Sequence, residues 1–465
     1  MPNTRPLTDA QARFLRALFP DNEDDCCVLA PEAAAIYGTD GSRMEAMPLA
    51  VVRPNSTGQV SELLRWARAE KMPIYTRARA TNLVGDCVPD PPGVVVSTLR
   101  LNKIIEVHPE DFVAVVEPGV VTAQFQAHVE KQGLFYPPDP ASLKISTLGG
   151  NVATCAGGMR AVKYGVTRDY VLGMEAVLPG GQVLNLGGRT HKNVVGLDLC
   201  RLMAGSEGTL GFMTKLILKL LPKPESTASV LAGYRTLAAS MEGVRNVFGA
   251  GILPTALEFM GREVLRTLAG AFAVPWPADT EAALLFKIDG SAKALPIELD
   301  RLRAALAPSA PSYLAHGLGK DEEEPLWELR RSINPASFKV APNKLSDDIT
   351  VPRGSVAAAL AAFEDIAVRH GLPILTFGHL GDGNIHVNIM FDKSDPRQNA
   401  ASQAAKLEVF DVVLGLKGSL SGEHGVGWSK LPYLDRQVGA AERALMRTVK
   451  AAFDPDGIMN PGKAF

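Results

Sequence analysis

The chain has 465 residues, and its 48 lysines and arginines nearly balance 50 aspartates and glutamates, so a net charge of −2 gives no pull toward nucleic acid or an anionic membrane. A hydrophobic fraction of 46% is enough to bury large cores, and the length calls for two or three domains. No run of about 18 apolar residues offers a membrane span, and five scattered cysteines without a CxxC pair fit reduced thiols in a cytoplasm and argue against a cysteine-held iron–sulfur cluster or zinc in this chain.

The opening MPNTRPLTDAQARFL is polar and acid-bearing, without the apolar core of a signal peptide. Up to residue 44 the chain predicts a helical arm, Asp9 to Phe19, and an acidic connector, acting as a lid or packing arm. Ala50 to Pro54 reads as a strand. A helix follows from Ser56 to Lys71, with Val60, Leu63, Leu64 and Ala67 on one face. Ile74 and Tyr75 make a second strand leading into RARATNLVGDCV, and Val94 to Thr98 a third, with no GxGxxG of a Rossmann dinucleotide site. A second unit runs through a strand at Ala114 to Glu117, a helix at Thr122 to Gln132, and a stretch dense in Gly149, Gly150, Gly157, Gly158 and Gly165. That density predicts backbone approaching something closely, such as a long flat cofactor. Strands at Val171 to Leu178, near Val183 and at Phe212 to Leu221 follow, and Pro222 and Pro224 mark a domain boundary.

From Ser226 the pattern changes to longer amphipathic helices (Ala238 to Phe248, Ile297 to Leu306, Glu324 to Ile333, Val356 to His370, Gln398 to Leu414) and separated strands (Ser229 to Tyr234, Leu284 to Ile288, Ile349 to Val351), an α+β domain. Within it, GHLGDGNIHVN reads as strand, tight turn, strand, which brings His379 and His386 to one end of a sheet and puts Asn388 on the face of His386. Farther on, SGEHGVG carries Glu423 and His424, and a helix from Ala440 to Phe453 precedes DPDGIMNPGK. Two histidines and a carboxylate are the ligand set of an open metal site; structural histidines in loops are the alternative.

In order, FYPPDPAS, TLGGNVATCAGG, KYG, GSEGTLG, GHLGDGNIHVN, SGEHGVG and DPDGIMNPGK resemble the FAD-dependent D-2-hydroxyacid dehydrogenases of the vanillyl-alcohol oxidase type. That group includes D-lactate dehydrogenases, D-2-hydroxyglutarate dehydrogenase and the glycolate oxidase large subunit. The resemblance implies an α+β chain: a two-part FAD-binding domain of PCMH type at residues 45–224, a ferredoxin-like cap domain with the metal site at 225–418, and a segment at 419–465 returning to the flavin.

By the same resemblance, FAD falls to Arg77, Thr81, Asn82, Asp139, Thr147, Gly149, Gly150, Asn151, Thr154, Gly157, Gly158, Gly165, Glu207, Gly208, Thr209, Gly211 and Asn460, without covalent attachment. The chain departs from the pattern in its Arg77 to Val88 loop, where Ala78, Ala80 and Asp86 stand at usual glycine positions. Alanine there requires φ below zero, and Asp86 must point away from a phosphate. His379, His386 and Glu423 carry over as metal ligands, for zinc first and manganese or iron(II) next, and His424 as the general base. Arg330, or Arg331 by a slip in register, and Lys344 match residues that hold the substrate carboxylate, with Asn388 beside them. Asn334 replaces a threonine of the hydroxyglutarate enzyme.

The mechanism implied has the metal gripping the α-hydroxyl and carboxylate of a small D-2-hydroxy acid, D-lactate first, while His424 takes the hydroxyl proton and hydride passes to the flavin. Electrons then leave to a quinone, cytochrome or electron-transfer flavoprotein. A homodimer or a complex with an iron–sulfur subunit is compatible with this scheme. The competing readings are a glycolate oxidase catalytic subunit, a D-2-hydroxyglutarate dehydrogenase, a non-catalytic flavin-binding subunit, and a zinc hydrolase without flavin.

Overall fold

The computed structural model describes residues 6–20 and 26–465, so residues 21–25 of the acidic connector lie outside the described residues. The chain divides into two compact units: one comprises the chain up to Gly157, Val166–Lys223 and Glu423–Phe465, the other Gly158–Gly165 and Pro224–Gly422. The first change of unit after the Gly-rich stretch comes at the Pro-marked break near Pro224. The second comes after Gly422 rather than at Ser419, because Ser419 exchanges main-chain hydrogen bonds with Thr350, at 2.8 and 3.0 Å.

The first unit begins with β1 (Cys27–Val28), β2 (Ala50–Val52), β3 (Ile74–Arg77) and β4 (Val94–Ser97), in the sheet order β1-β2-β4-β3. Strands β2, β4 and β3 run parallel, and such a sheet needs a helical crossover. The helix Thr57–Glu70 supplies it. Ser56 caps its start by accepting from the Gln59 N–H, and Lys71 ends it in a left-handed turn with φ 51°. Its Val60, Leu63, Leu64 and Ala67 are fully buried against Ile74, Val94 and Val96, each large side chain stabilising the fold by roughly 1.5–3 kcal/mol. Leu15 and Phe19 of the N-terminal helix Asp9–Leu18 lie in this same core, so that segment is a packing arm.

The second sheet of this unit is antiparallel, built from β5 (Ile104–His108), β6 (Val113–Val116), β8 (Val171–Val177), β9 (Val183–Gly187) and β10 (Phe212–Lys219) in the order β5-β6-β10-β8-β9. A two-stranded ribbon pairs β7 (Leu134–Phe135) with β11 (Leu221–Pro222). The C-terminal segment returns to β3: Ile74 N–H donates to Ile458 and Asn460 N–H to Ile74, both at 2.8 Å.

The second unit is one seven-stranded antiparallel sheet of β12 (Ser226–Tyr234), β13 (Ala256–Gly261), β14 (Ala282–Gly290), β15 (Tyr313–Leu318), β16 (Asn343–Thr350), β17 (Ile374–His379) and β18 (Asn384–Phe391), in the order β15-β12-β14-β13-β17-β18-β16. One face buries Leu231, Ala256, Met260, Leu285, Leu375, Phe377 and Met390 against helices Arg262–Ala269, Lys320–Arg331 and Ile333–Ser337. The β17–β18 hairpin forms where alternation and turn chemistry place it. Its turn needs Gly383, whose φ is +86° and where a Cβ would strike Val351 O.

Candidate functional site

In the second unit the strand registers decide which side chains meet. His379 on β17 faces Glu258 on β13, and His386 on β18 faces both Phe377 on β17 and Asp348 on β16. All five therefore share one sheet face, and alternation adds Asn388 to it. The two imidazoles stand edge to face with centroids 5.2 Å apart and planes at 87°. His379 Nδ1 is 2.6 Å from Glu258 Oε1, and His386 Nδ1 is 3.8 Å from Asp348 Oδ1.

Glu258 is wholly buried. Arg330 donates to its Oε2 from both Nε and Nη2 at 2.7 Å, and the guanidinium lies 4.9 Å from the Phe377 ring centre. Burial alone would raise the Glu258 pKa, but the charges of His379 and Arg330 outweigh it and hold the carboxyl down at about 2. The Nε/Nη2 edge of Arg330 is thus turned to Glu258. Arg331 pairs with the exposed Glu324. Lys344 donates to the Asn334 side-chain oxygen and sits 5.1 Å from the Phe338 ring centre. Asn388 is 1% exposed, yet among the described residues neither its amide nitrogen nor its amide oxygen has a hydrogen-bond partner. A buried amide left so costs about 1–3 kcal/mol, and such groups persist where a ligand completes them.

The first unit holds an open cavity. Arg77, Thr81 and Asn82 line one wall, and Thr147, Gly149, Gly150, Asn151, Thr154 and Gly157 another. Glu207, Gly208, Gly211, Glu423, His424 and Asn460 complete it. The second wall is the helix Leu148–Thr154, started by Thr147, whose hydroxyl accepts from Gly150 N–H. Its glycines make room for the protein itself: a Cβ on Gly149 would meet Pro118, one on Gly150 would lie 3.0 Å from Ala78 Cβ, and one on Gly157 would lie 2.8 Å from Glu423 Oε2. Glu207 accepts the Val426 and Gly427 N–H groups, both at 2.7 Å, and so fixes the loop that presents Glu423 and His424. Asn460 accepts from Thr76 N–H at 2.9 Å and donates to Glu207 O at 2.8 Å and Asp86 O at 3.3 Å. Thr98 Oγ1, in the cavity wall, is buried without a hydrogen-bond partner among the described residues.

Residues 48–187 match the family described as FAD binding domain, and residues 223–464 match FAD linked oxidases, C-terminal domain. The chain belongs to the FAD-linked oxidase family. A protein named glycolate oxidase subunit GlcD from Bacillus subtilis (strain 168) is 37% identical over 98% of this chain and 97% of its own length. One named D-2-hydroxyglutarate dehydrogenase from Stutzerimonas stutzeri (strain A1501) is 36% identical over 92% of this chain and 94% of its own length. One named D-lactate dehydrogenase from Anaerostipes hadrus is 35% identical over 92% of this chain and 90% of its own length. Among solved structures, p-cresol methylhydroxylase has a TM-score of 0.78 at 16% identity, over 97% of this chain and 96% of that one. A 4-ethylphenol oxidase from Gulosibacter chungangensis has a TM-score of 0.77 at 18% identity, over 99% of this chain and 98% of that one. These two establish the fold, the vanillyl-alcohol oxidase type.

The cavity of this FAD-linked oxidoreductase suits its cofactor: its wall has the Thr98 hydroxyl, unpartnered among the described residues, and holds non-glycine residues with positive φ, namely Ala80 (52°), Glu207 (52°) and Asn460 (41°). Backbone strain of that kind gathers at functional sites. Ala80 corrects the requirement for φ below zero, because the loop keeps its left-handed turn with alanine in place of glycine. Asp86 is among the residues that line the cavity. Burial foremost, then the nearby Glu207 and Asp40 carboxylates, raises its pKa well above the usual carboxyl range. Arg77 lines the cavity but donates from Nη1 to Thr39 O at 2.7 Å and Tyr37 O at 3.3 Å, so it also fastens the N-terminal arm.

Four residues expected at the cofactor do not line the cavity. Asp139 and Thr209 are buried behind it, Thr209 donating to Ser206 O at 2.6 Å. Gly158 and Gly165 bound a segment that belongs to the second unit, where Lys163 and Tyr164 bind Asp289. Glu258 is the site residue that sequence reasoning missed. Its signal was a lone acid in the apolar run ALEFMG, an expensive residue to bury without a purpose.

Proposed function

We propose that this FAD-linked oxidoreductase oxidises a small D-2-hydroxy acid, D-lactate first, to the 2-oxo acid with the help of a divalent metal. The observation that carries the reading is the buried, unpartnered Asn388 amide on the sheet face that holds two perpendicular imidazoles. His379 and His386, with Glu423, would hold the ion. Zinc is the first candidate and manganese or iron(II) the next, since two imidazoles and a carboxylate accept all three. The His379–Glu258 contact supports this, because ligand histidines ordinarily give their other ring N–H to a carboxylate.

Bound FAD supplies a two-electron acceptor, and a bound metal supplies Lewis-acid polarisation of the α-hydroxyl. The chain's own residues do the rest. The Arg330 Nη1 edge and Lys344 bind the substrate carboxylate, and the Asn388 amide orients the acid's oxygens. An imidazole nitrogen of His424, on the loop fixed by Glu207, takes the hydroxyl proton. Gly149, Gly150 and Asn151 on one side and Asn460 on the other hold the flavin nucleotide. The electrons leave to a separate acceptor, a quinone, cytochrome or electron-transfer flavoprotein, the chain acting alone, as a homodimer or beside an iron–sulfur subunit.

A second reading, catalytic subunit of a glycolate oxidase, is favoured by the relative of that name that matches along nearly the whole length. Assaying the purified chain alone with a dye acceptor separates the two. Faster turnover of D-lactate than of glycolate supports the first, and the reverse order supports the second. A preparation without flavin absorbance near 450 nm would contradict both.

A further inference from the structure

One buried side chain reaches two of the groups assigned above. Glu258 lies in the middle of β13 between Leu257 and Phe259 and has no exposure, and a carboxylate so placed is tolerated only when both its oxygens are satisfied. Oε1 takes His379 Nδ1 at 2.6 Å, and Oε2 takes Arg330 Nε and Nη2 at 2.7 Å. A carboxylate only accepts hydrogen bonds, so the Nδ1 that meets it carries the proton, and Nε2 becomes the nitrogen with a lone pair. The Arg330 edge is fixed by the same group and by the Phe377 ring beneath it.

We propose that Glu258 is a shared positioning residue that sets the ligating tautomer of His379 and the pose of Arg330 together, and so couples metal affinity to binding of the substrate carboxylate. The inference rests on the metal reading given above. Its consequence is that one substitution, at a residue touching neither metal nor substrate, weakens both.

The test uses the flavin-loaded full chain, with zinc and manganese as probes in competition with a chromogenic chelator. Glu258→Gln keeps the size and loses the charge; it should weaken metal binding roughly 10- to 100-fold and raise KM for the hydroxy acid more than it lowers kcat. Glu258→Asp should recover part of both. Because Glu258→Gln leaves the Arg330 charge buried against a neutral amide, the double variant E258Q/R330M keeps the test open if the single variant fails to fold, and it should show the same loss of metal affinity. Wild-type metal affinity in folded E258Q or E258Q/R330M overturns this proposal alone. A wild-type protein that binds neither metal overturns the metal reading, and this proposal with it.

Discussion

Asp86 is a buried carboxyl group in the wall of the first unit's cavity. Burial, Glu207 and Asp40 raise its pKa in the folded chain, so the folded state holds the proton more tightly than the unfolded one. The associated stability is full below the ordinary carboxyl pKa of about 3.9 and is lost as pH rises through the raised value. Melting temperatures measured from acid to alkaline pH should therefore fall less steeply for Asp86→Asn than for wild type; parallel slopes would refute this. Asn388 tests the opposite kind of trade. Since its amide is unsatisfied in the fold, Asn388→Ala should leave the melting temperature level or higher. The same change should reduce kcat/KM about 10- to 100-fold, the worth of a hydrogen bond to a charged group at about 1.5–3 kcal/mol. Alternation along IHVN was enough to put His386 and Asn388 on one face. Glu258 offered only a lone acid in an apolar run, because its partners lie 121 residues away at His379, opposite it in the β13–β17 register, and 72 away at Arg330 on the helix Lys320–Arg331.

A hairpin and a C-terminal strap carry several of the candidate residues, among them His379, His386, Asn388 and Asn460. Gly383→Ala would force a side chain onto a backbone with φ of +86° and against Val351 O. The strain alone costs about 1–3 kcal/mol, so thermal unfolding should shift down and bound zinc, measured by atomic absorption, should fall with it. Asn460→Ala removes the side chain that ties the C-terminal segment to Thr76, Asp86 and Glu207. It leaves buried main-chain groups unpaired at about 1–3 kcal/mol each, and flavin retention during gel filtration should drop; unchanged retention would mean the strap does not support the cofactor. The helix Thr57–Glu70 and the hairpin were legible because apolar spacing and turn residues agreed with the final packing. Strand β13 escaped notice because both its faces are buried and no alternation marks it. The glycine cluster was read as room for a cofactor, whereas Gly149, Gly150 and Gly157 first make room for Pro118, Ala78 and Glu423.

Across the molecule, motif order carries the family and the fold, while substrate choice rests on a few side chains. Relatives named for glycolate, D-lactate and D-2-hydroxyglutarate match this chain almost equally, so similarity does not rank them. No helix among the described residues is long and apolar enough to cross a membrane. The central claim is metal-dependent, flavin-linked oxidation of a D-2-hydroxy acid. The most direct measurement is the steady-state rate of dye reduction by the purified, flavin-loaded chain with paired D- and L-2-hydroxy acids, before metal stripping, after it, and after zinc or manganese is returned. D-lactate should turn over faster than L-lactate, with activity lost on stripping and restored with the metal; undiminished turnover by the metal-free chain, or turnover confined to the L-acids, would rule out the proposed chemistry.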